Sequence, residues 1–211
     1  MTVSRYSNCK LPTIHGLLDL TIFRTESEEE IAVISCGDLS ETKVPFVRIH
    51  SQCFTGEVLG SMKCDCREQL NYALERIGTE DEEPGIVIYL QQEGRGIGLG
   101  NKVKAYDLQD RGADTLEANH ILGFEGDLRD FQNAADILKL MGQTKVRLNT
   151  NNPEKIQSLL DNGITIEEII PSIGNENVHN KGYLRTKAEK MGHVQLMGIP
   201  TKLVSCESKD R

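Results

Sequence analysis

Long hydrophobic segments are absent from this sequence. No run approaches the ~20 consecutive apolar residues that a membrane-spanning helix needs. Residues 1–16 also lack the apolar stretch that marks a secretory signal peptide. We therefore expect a cytoplasmic protein that has no membrane partner.

An excess of positive charge is also missing. Lys and Arg together number 24 against 32 Asp and Glu, which gives a formal net charge of −8 at pH 7. Proteins that bind nucleic acid usually carry a basic surface, so this composition argues against DNA or RNA as a partner. A small anionic ligand is still compatible with it, because a local group of Lys and Arg can oppose the overall charge.

The chain of 211 residues, 38% of them hydrophobic, is long enough for one compact domain or two small ones. Strand and helix patterns alternate along it, which predicts an α/β fold: a single domain with a mixed β-sheet flanked by helices. We expect this domain to cover residues 1–193 and to be followed by a loosely ordered C-terminal tail, residues 194–211. The predicted strands are 43–52, 85–91, 144–150 and 164–171, and the predicted helices are 66–78, 101–112, 130–142 and 152–163.

The six cysteines do not suggest a disulfide framework, because nothing in the sequence indicates secretion. Three of them, Cys9, Cys36 and Cys206, are scattered along the chain. We interpret these as single thiols without a special role.

The other three cysteines, Cys53, Cys64 and Cys66, indicate a metal site. Residues two apart on an extended segment do not easily form a disulfide, but their side chains lie on one face and can reach the same ion. Zinc with three protein ligands keeps a position for water and is typical of catalysis, whereas structural zinc usually has four. We favour the open site; a closed one would need His50, whose position on the predicted strand directs its side chain elsewhere.

A glycine-rich segment, QQEGRGIGLGNK, follows the predicted strand 85–91. Closely spaced glycines let a backbone approach an anion with several N–H groups, although this segment matches neither common phosphate-binding motif in full. A flexible strand-to-helix turn is the alternative. The nearby cations Arg95, Lys102 and Lys104 favour an anionic ligand.

Asp127 and Arg129 lie two residues apart just before a predicted helix, which suits proton transfer and phosphate binding. The alternative is a capping acid beside a surface arginine. Asn151 and Asn152 likewise have the pattern of helix caps, and Lys155 that of a solvated helix charge.

Five segments together closely resemble GTP cyclohydrolase II, and the resemblance extends from about Lys10 to His193. The segments are RIHSQCFTGEVLGSMKCDC, QQEGRGIGLGNKVKAYDLQDRGADTLEANHILGF, DLRDF, TNNPEK and YLRTKAEKMGH. The resemblance implies a cytoplasmic homodimer that needs zinc and magnesium and catalyses the first committed step of riboflavin biosynthesis. In that reaction GTP loses formate and pyrophosphate. It also implies the monofunctional form of the enzyme, with residues 1–193 as the catalytic domain.

The resemblance further implies a role for individual positions. Cys53, Cys64 and Cys66 match the ligands of one Zn²⁺ per subunit, with water as the fourth ligand, and Mg²⁺ accompanies the triphosphate. Tyr106 matches a residue that assists ring opening, Asp127 a proton acceptor and Arg129 a nucleophile, although a guanidinium suits charge stabilisation better. The positions that match contacts to GTP are Arg48, Ile49, His50, Ser51, Gln52, Gln69, Glu93, Gly94, Arg95, Thr115, Thr150 and Lys155.

Two alternatives remain open from the sequence. A related cyclohydrolase could release a different product from the same scaffold. A zinc-stabilised nucleotide-binding module could lack catalysis altogether, and release of formate from GTP would exclude it.

Overall fold

The computed structural model describes residues 3–40, 44–78, 84–124, 127–172, 174, 176–190 and 201–202. These residues form one mixed β-sheet of eight strands in the order β1-β2-β3-β5-β4-β6-β7-β8. Strands β5, β4, β6 and β7 are parallel to one another, whereas β1, β2 and β3 are antiparallel and join the edge of β5. The strands are β1 (Val3–Thr13), β2 (Gly16–Thr25), β3 (Glu30–Cys36), β4 (Phe46–Ser51), β5 (Gly85–Leu90), β6 (Lys145–Asn149), β7 (Thr165–Ile170) and β8 (Thr201–Lys202).

Helices connect the parallel strands and cover both faces of the sheet. They are α1 (Phe54–Glu57), α2 (Cys66–Gly78), α3 (Gly98–Asp110), α4 (Thr115–Ile121), α5 (Gln132–Leu140), α6 (Pro153–Asp161) and α7 (Lys181–Lys190), with a short 3-10 helix at Glu93–Gly96. The start of α6 follows directly from its sequence. Asn152 caps it by accepting the backbone N–H of Glu154 at 2.9 Å, and Pro153 occupies the first helical position, where its missing N–H costs nothing.

The hydrophobic core lies on both faces of the parallel strands. In β5, Ile86 and Ile88 belong to the larger cluster, which includes residues of α5 and α6, while Val87 belongs to the smaller cluster with Ile77 of α2. This division follows from the alternation of side chains along a strand. Because the core fixes β4, β5 and β6 side by side, it also fixes the segments that leave their carboxyl ends.

The predicted fold class is confirmed: the described chain has one mixed sheet with flanking helices. Helix α3 begins at Gly98, three residues before the predicted start. Most of the tail 194–211 lies outside the described residues, but Thr201–Lys202 within it pair with β7. Of the helices in the described ranges, none has the length and apolar character to cross a membrane.

Candidate active site

One cavity opens where β4, β5 and β6 end. Its walls include the segments that directly follow these strands, at Gln52–Cys53, Gln92–Glu93 and Thr150–Asn152. Open α/β sheets commonly bind ligands at the carboxyl ends of parallel strands. The cavity and its open mouth contain about 1090 Å³ of empty space, enough for a nucleotide-sized ligand.

The predicted cysteines meet on the wall of this cavity. The sulfur atoms of Cys53, Cys64 and Cys66 all lie within 4.8 Å of one another, and those of Cys53 and Cys64 are 3.5 Å apart. Gly56 permits this approach, because a Cβ at that position would lie 3.0 Å from the Cys64 sulfur. Among the described residues no other His, Cys, Asp or Glu joins the group. Three converging thiols fit a soft divalent ion such as zinc.

A buried lysine neutralises charge beside this cluster. Lys102 Nζ lies 3.1 Å from the Cys53 sulfur and 2.7 Å from Glu93 Oε1. Hydrogen bonds from the thiols of Cys64 and Cys66, together with the Lys102 ammonium, lower the pKa of Cys53 far below its ordinary range. Burial is the largest single influence and lowers the pKa of Lys102, but Cys53, Tyr106 and Glu93 together outweigh it, so the pKa is raised overall. The site therefore favours a thiolate at Cys53.

Glu57 holds the backbone of the first cysteine. Its Oε1 accepts the Cys53 N–H at 2.9 Å and lies 2.9 Å from His50 Nε2, while Oε2 accepts from the Tyr89 hydroxyl at 2.5 Å. Burial lowers the pKa of His50 to about 4, so its ring is neutral at pH 7. As expected from the sequence, His50 does not belong to the cysteine group.

Glu93 connects the segment that carries the three cysteines, residues 53–66 and called the metal loop below, to the glycine-rich loop. Its carboxylate accepts the backbone N–H groups of Phe54 at 2.6 Å and Gly94 at 3.0 Å, in addition to Lys102. Each of the two carboxylate oxygens of Glu93 therefore accepts at least one hydrogen bond within the protein. The geometry thus gives Glu93 a role in holding the two loops together, beside its predicted contact with the ligand.

The glycine-rich loop has an unusual backbone conformation and is joined to a second segment of the cavity wall. Gly94 and Arg95 both have left-handed backbone angles, with φ of 62° and 64°, which is unusual for an arginine. The carbonyl of Arg95 accepts the N–H of Leu128 at 3.0 Å, so this loop is attached to the segment that carries Asp127 and Arg129. The Nη1 and Nη2 atoms of Arg95 are buried without a hydrogen-bond partner in the described chain.

Asp127 and Arg129 form a buried ion pair. Arg129 Nε lies 2.8 Å from Asp127 Oδ1, and Arg129 Nη2 lies 2.5 Å from Asp127 Oδ2. The side chain of Arg129 is 13% exposed and that of Asp127 is 7% exposed. Burial opposes both charges, yet the pair lowers the pKa of Asp127 and raises that of Arg129. The alternative of a capping acid beside a surface arginine is wrong, because Phe131 is the N-cap of α5 and the side chain of Arg129 is only 13% exposed.

Tyr106 lies on α3 between two lysines. Its ring centroid is 4.9 Å from Lys63 Nζ and 5.7 Å from Lys102 Nζ, and its hydroxyl is 3.4 Å from Thr55 Oγ1. Burial raises the pKa of Tyr106 to about 12. The phenol is therefore a hydrogen donor at neutral pH.

Arg48 of β4 and Lys155 of α6 both line the cavity. Arg48 Nη1 donates to Ser172 Oγ at 2.9 Å, its Nη2 donates to Gln69 Oε1, and burial lowers its pKa to about 10. Lys155 is 6% exposed and donates to the carbonyl of Ile49 at 2.8 Å. Lys155 is thus not the solvated helix charge that the sequence allowed.

Most predicted site residues come together. Ile49 and Asp127 do not line the cavity themselves, but contact Lys155 and Arg129, which do. The side chain of Thr115 lies outside the described part of the chain. The predicted residues that line the cavity are Arg48, His50, Ser51, Gln52, Cys53, Cys64, Cys66, Gln69, Glu93, Gly94, Arg95, Tyr106, Arg129, Thr150 and Lys155.

The sequence patterns did not indicate Glu57, Gln92, Ser172 or Tyr183, although the last three line the cavity. Glu57 lies four residues after Cys53, one more than the spacing of a capping box, so that pattern gave no signal for it. Gln92 and Tyr183 lie in segments that carry the family resemblance, but only the fold shows that their side chains, and that of Ser172, line the cavity.

Unpaired polar atoms are concentrated in this cavity. Within the described residues, the buried side-chain nitrogen and oxygen atoms that lack a hydrogen-bond partner all belong to residues of its wall. Buried polar groups in proteins normally have a partner. The unpaired atoms are Arg48 Nε, His50 Nδ1, Gln92 Oε1, Arg95 Nη1 and Nη2, and Asn152 Nδ2. Their concentration indicates a cavity built for a polar ligand.

Comparison with known proteins agrees with this geometry. The sequence model of the GTP cyclohydrolase II family matches residues 4–171. A GTP cyclohydrolase-2 from Neisseria meningitidis serogroup C is 47% identical over 192 residues, covering 91% of this chain and 96% of the relative. One from Colwellia psychrerythraea is 46% identical over 203 residues, covering 96% and 100%.

The chain belongs to the GTP cyclohydrolase II family. Membership confirms the resemblance found in the sequence and the enzyme class that it implies. Among solved structures, a two-domain 3,4-dihydroxy-2-butanone 4-phosphate synthase from A. baumannii matches with a TM-score of 0.44 and 19% identity, over 83% of this chain and 41% of that one.

Proposed function

We propose that this protein hydrolyses GTP to a diaminopyrimidinone ribosylamine phosphate, formate and pyrophosphate, the first committed step of riboflavin biosynthesis. One observation carries the proposal: the three-thiol cluster and the unpaired guanidinium of Arg95 lie on the wall of one cavity, in a chain of this family. Hydrolysis of the guanine ring requires an activated water, and a triphosphate requires cations. The cavity supplies a site for each.

Zinc fits the three cysteines, and Cys53, Cys64 and Cys66 would hold it. A bound zinc ion would act as a Lewis acid that makes water a nucleophile at neutral pH. The protein's own part is to balance charge and exclude solvent. Three thiolates exceed the charge of a divalent ion by one, and the Lys102 ammonium, 3.1 Å from Cys53, offsets that excess.

Arg129 serves best as a binder of phosphate oxygens. Asp127 engages its Nε and Nη2, and its Nη1 has only a long contact of 3.5 Å to Ser51 Oγ. Because the pair raises the pKa of Arg129, the guanidinium stays protonated and is a poor nucleophile. A fixed cation beside a leaving pyrophosphate stabilises developing charge without reorganisation. Asp127 then orients Arg129 and accepts a proton only after the pair opens.

Tyr106 acts as a proton donor in this proposal. Its phenol is protonated at neutral pH, since burial raises its pKa to about 12. It lies beside Lys102, which contacts the metal-binding Cys53. This position suits protonation of a ring nitrogen as the imidazole of guanine opens.

Magnesium, a homodimer and a cytoplasmic location stay predictions of the resemblance. Mg²⁺ would accompany the triphosphate, where its usual ligands are phosphate oxygens and water. Light scattering of the purified protein tests the dimer, and a monomer at micromolar concentration would contradict it.

The proposed reaction is tested by incubating the zinc-loaded protein with GTP and Mg²⁺. We expect formate and pyrophosphate in equal amounts and a single product whose mass is that of the diaminopyrimidinone. A different product mass would establish a related cyclohydrolase instead. Binding of GTP without release of formate would establish a nucleotide-binding module.

A further inference from the structure

Three asparagines lie at the end of β6 and in the short segment before α6, and the structure distinguishes them. Asn149 Nδ2 donates to the carbonyls of Ile170 at 3.1 Å and Pro171 at 3.2 Å. Asn151 uses both ends of its amide on Ser172, donating to the carbonyl at 2.7 Å and accepting the N–H at 3.0 Å. The amide donors of these two side chains are therefore satisfied within the protein.

Asn152 differs from its two neighbours. Its Oδ1 accepts the N–H of Glu154, and since a backbone nitrogen can only donate, this contact fixes which end of the amide is oxygen. Its Nδ2 is buried with no partner among the described residues, although the residue is only 4% exposed and lines the cavity. A buried amide without an acceptor is costly unless a ligand provides one.

The cap alone does not explain an asparagine at this position. Asn, Asp and Ser cap helices about equally well, because each offers an oxygen to the first turn. Asn152 adds two N–H donors to that oxygen, at the positive end of the nine-residue helix α6. The next hydroxyl in the same turn, on Thr150, accepts the Asn152 N–H at 3.0 Å, so its own hydrogen is directed to another acceptor.

We propose that Asn152 determines nucleotide affinity by donating a hydrogen bond from Nδ2 to an oxygen of the bound nucleotide. The inference rests on the proposed function, which supplies the ligand. The acceptor is either the carbonyl of the guanine ring or a phosphate oxygen. Both present an oxygen lone pair to the same amide, and binding experiments distinguish them.

Two substitutions remove the amide N–H donors and keep the cap, although serine retains one hydroxyl hydrogen on a side chain that is one atom shorter. Asn152→Asp and Asn152→Ser both retain an oxygen for the N–H of Glu154, so the melting temperature should stay that of the wild type. The KM for GTP, measured from pyrophosphate release by the zinc-loaded protein, should rise about tenfold or more in each. Asp adds a negative charge and Ser does not, so a rise in both variants isolates the lost donor.

Asn151→Asp is the matched control, with the opposite expectation. It replaces a donor that the carbonyl of Ser172 accepts, so the melting temperature should fall. Inhibition of Asn152→Ser by guanosine and by inorganic triphosphate then identifies the acceptor. Weaker inhibition by guanosine alone assigns the contact to the ring carbonyl, and weaker inhibition by triphosphate alone assigns it to a phosphate.

An unchanged KM in both Asn152 variants overturns the inference. So does a fall in their melting temperature as large as that of Asn151→Asp, because Asn152 would then only stabilise the fold. If the wild-type protein releases formate and the Asn152 variants have an unchanged KM for GTP, this inference is refuted but the proposed function is not. Wild-type protein that does not bind GTP refutes the proposed function, and the inference with it.

Discussion

The ion pair of Asp127 and Arg129 gives a quantitative test of how the cavity wall is built. Arg129→Met removes the cation but keeps most of the apolar side chain against Phe131. The Asp127 carboxylate, whose side chain is 7% exposed, then faces a methionine where it accepted hydrogen bonds from Nε and Nη2 of Arg129. The Arg95 guanidinium also acts on Asp127, so some compensation remains.

Breaking a buried ion pair by removing one partner usually costs about 3–5 kcal/mol. Because Arg95 remains and Asp127 keeps the backbone N–H of residue 129 at 3.1 Å, we expect the lower end, about 3 kcal/mol at pH 7. The double variant Asp127→Asn/Arg129→Met should recover about half or more of this loss, since the asparagine carries no charge yet still accepts that N–H.

Urea unfolding at pH 7 gives the free energy of unfolding of the wild type, of Arg129→Met and of the double variant. The single variant Asp127→Asn completes the double-mutant cycle. A coupling free energy between Asp127 and Arg129 below about 0.5 kcal/mol would refute the reasoning, because two buried charges in contact should not contribute independently to stability. The pH dependence has a definite sign. The pair lowers the pKa of Asp127, so its contribution is complete above the ordinary pKa of about 3.9 and is lost as pH falls through the lower, folded value.

Two experiments distinguish the roles proposed for Arg129, binding of phosphate oxygens and nucleophilic attack. Arg129→Lys keeps a charge but loses the planar fork, so pyrophosphate release should fall substantially and stay measurable, with zinc content unchanged. Rapid quenching of the wild type with GTP decides between the roles. A nucleotide adduct on the Arg129 peptide that forms and decays at the rate of turnover would overturn the electrostatic role.

Two further predictions concern the metal loop. Cys64→Ser should abolish zinc binding and formate release, because a hydroxyl is a far weaker ligand than a thiolate, whereas the exposed Cys9→Ser should change neither; full zinc in Cys64→Ser by metal analysis would contradict the ligand set. Glu57→Ala should raise the rate of zinc loss to a chelator about tenfold or more, since Cys53 N and Tyr89 lose their shared acceptor. Zinc loss at the wild-type rate would show that Glu57 does not orient the metal loop.

Local patterns predicted the elements that carry the site, and they did so for physical reasons. The strand now seen as β5 is buried on both faces, which leaves a continuous apolar run in the sequence. The antiparallel strands β1, β2 and β3 were not predicted, although β3 contains an apolar run, Ile31 to Ile34, of the same kind. Strand β1 is exposed at almost every position, so its sequence has no hydrophobic period, and its pairing with β2 defines it instead.

The site was predictable where its partners lie close in sequence. The cysteine group is local, so its spacing alone indicated it. Asp127 and Arg129 are also local, but their spacing left a helix-capping alternative open, and the family resemblance was needed to favour a site. Other contacts join distant segments: Arg48 bonds Asn149 across 101 positions, and Lys155 bonds the carbonyl of Ile49 across 106. Without the sheet order, Lys155 has the pattern of a solvated helix residue. The alternative of a solvated Lys155 is thus wrong because its partner, the carbonyl of Ile49, lies on another element.

The charges of the cavity explain how an acidic protein can hold a polyanion. Buried ion pairs add little net stability, so their presence here calls for another role. Lys102 is balanced by Glu93 and Cys53, and Arg129 by Asp127, whereas Arg95 is left with two unpaired donors. Paired cations are fixed in place, and the unpaired one has capacity for a ligand. The net charge of −8 therefore belongs to the surface as a whole, while this wall is locally cationic.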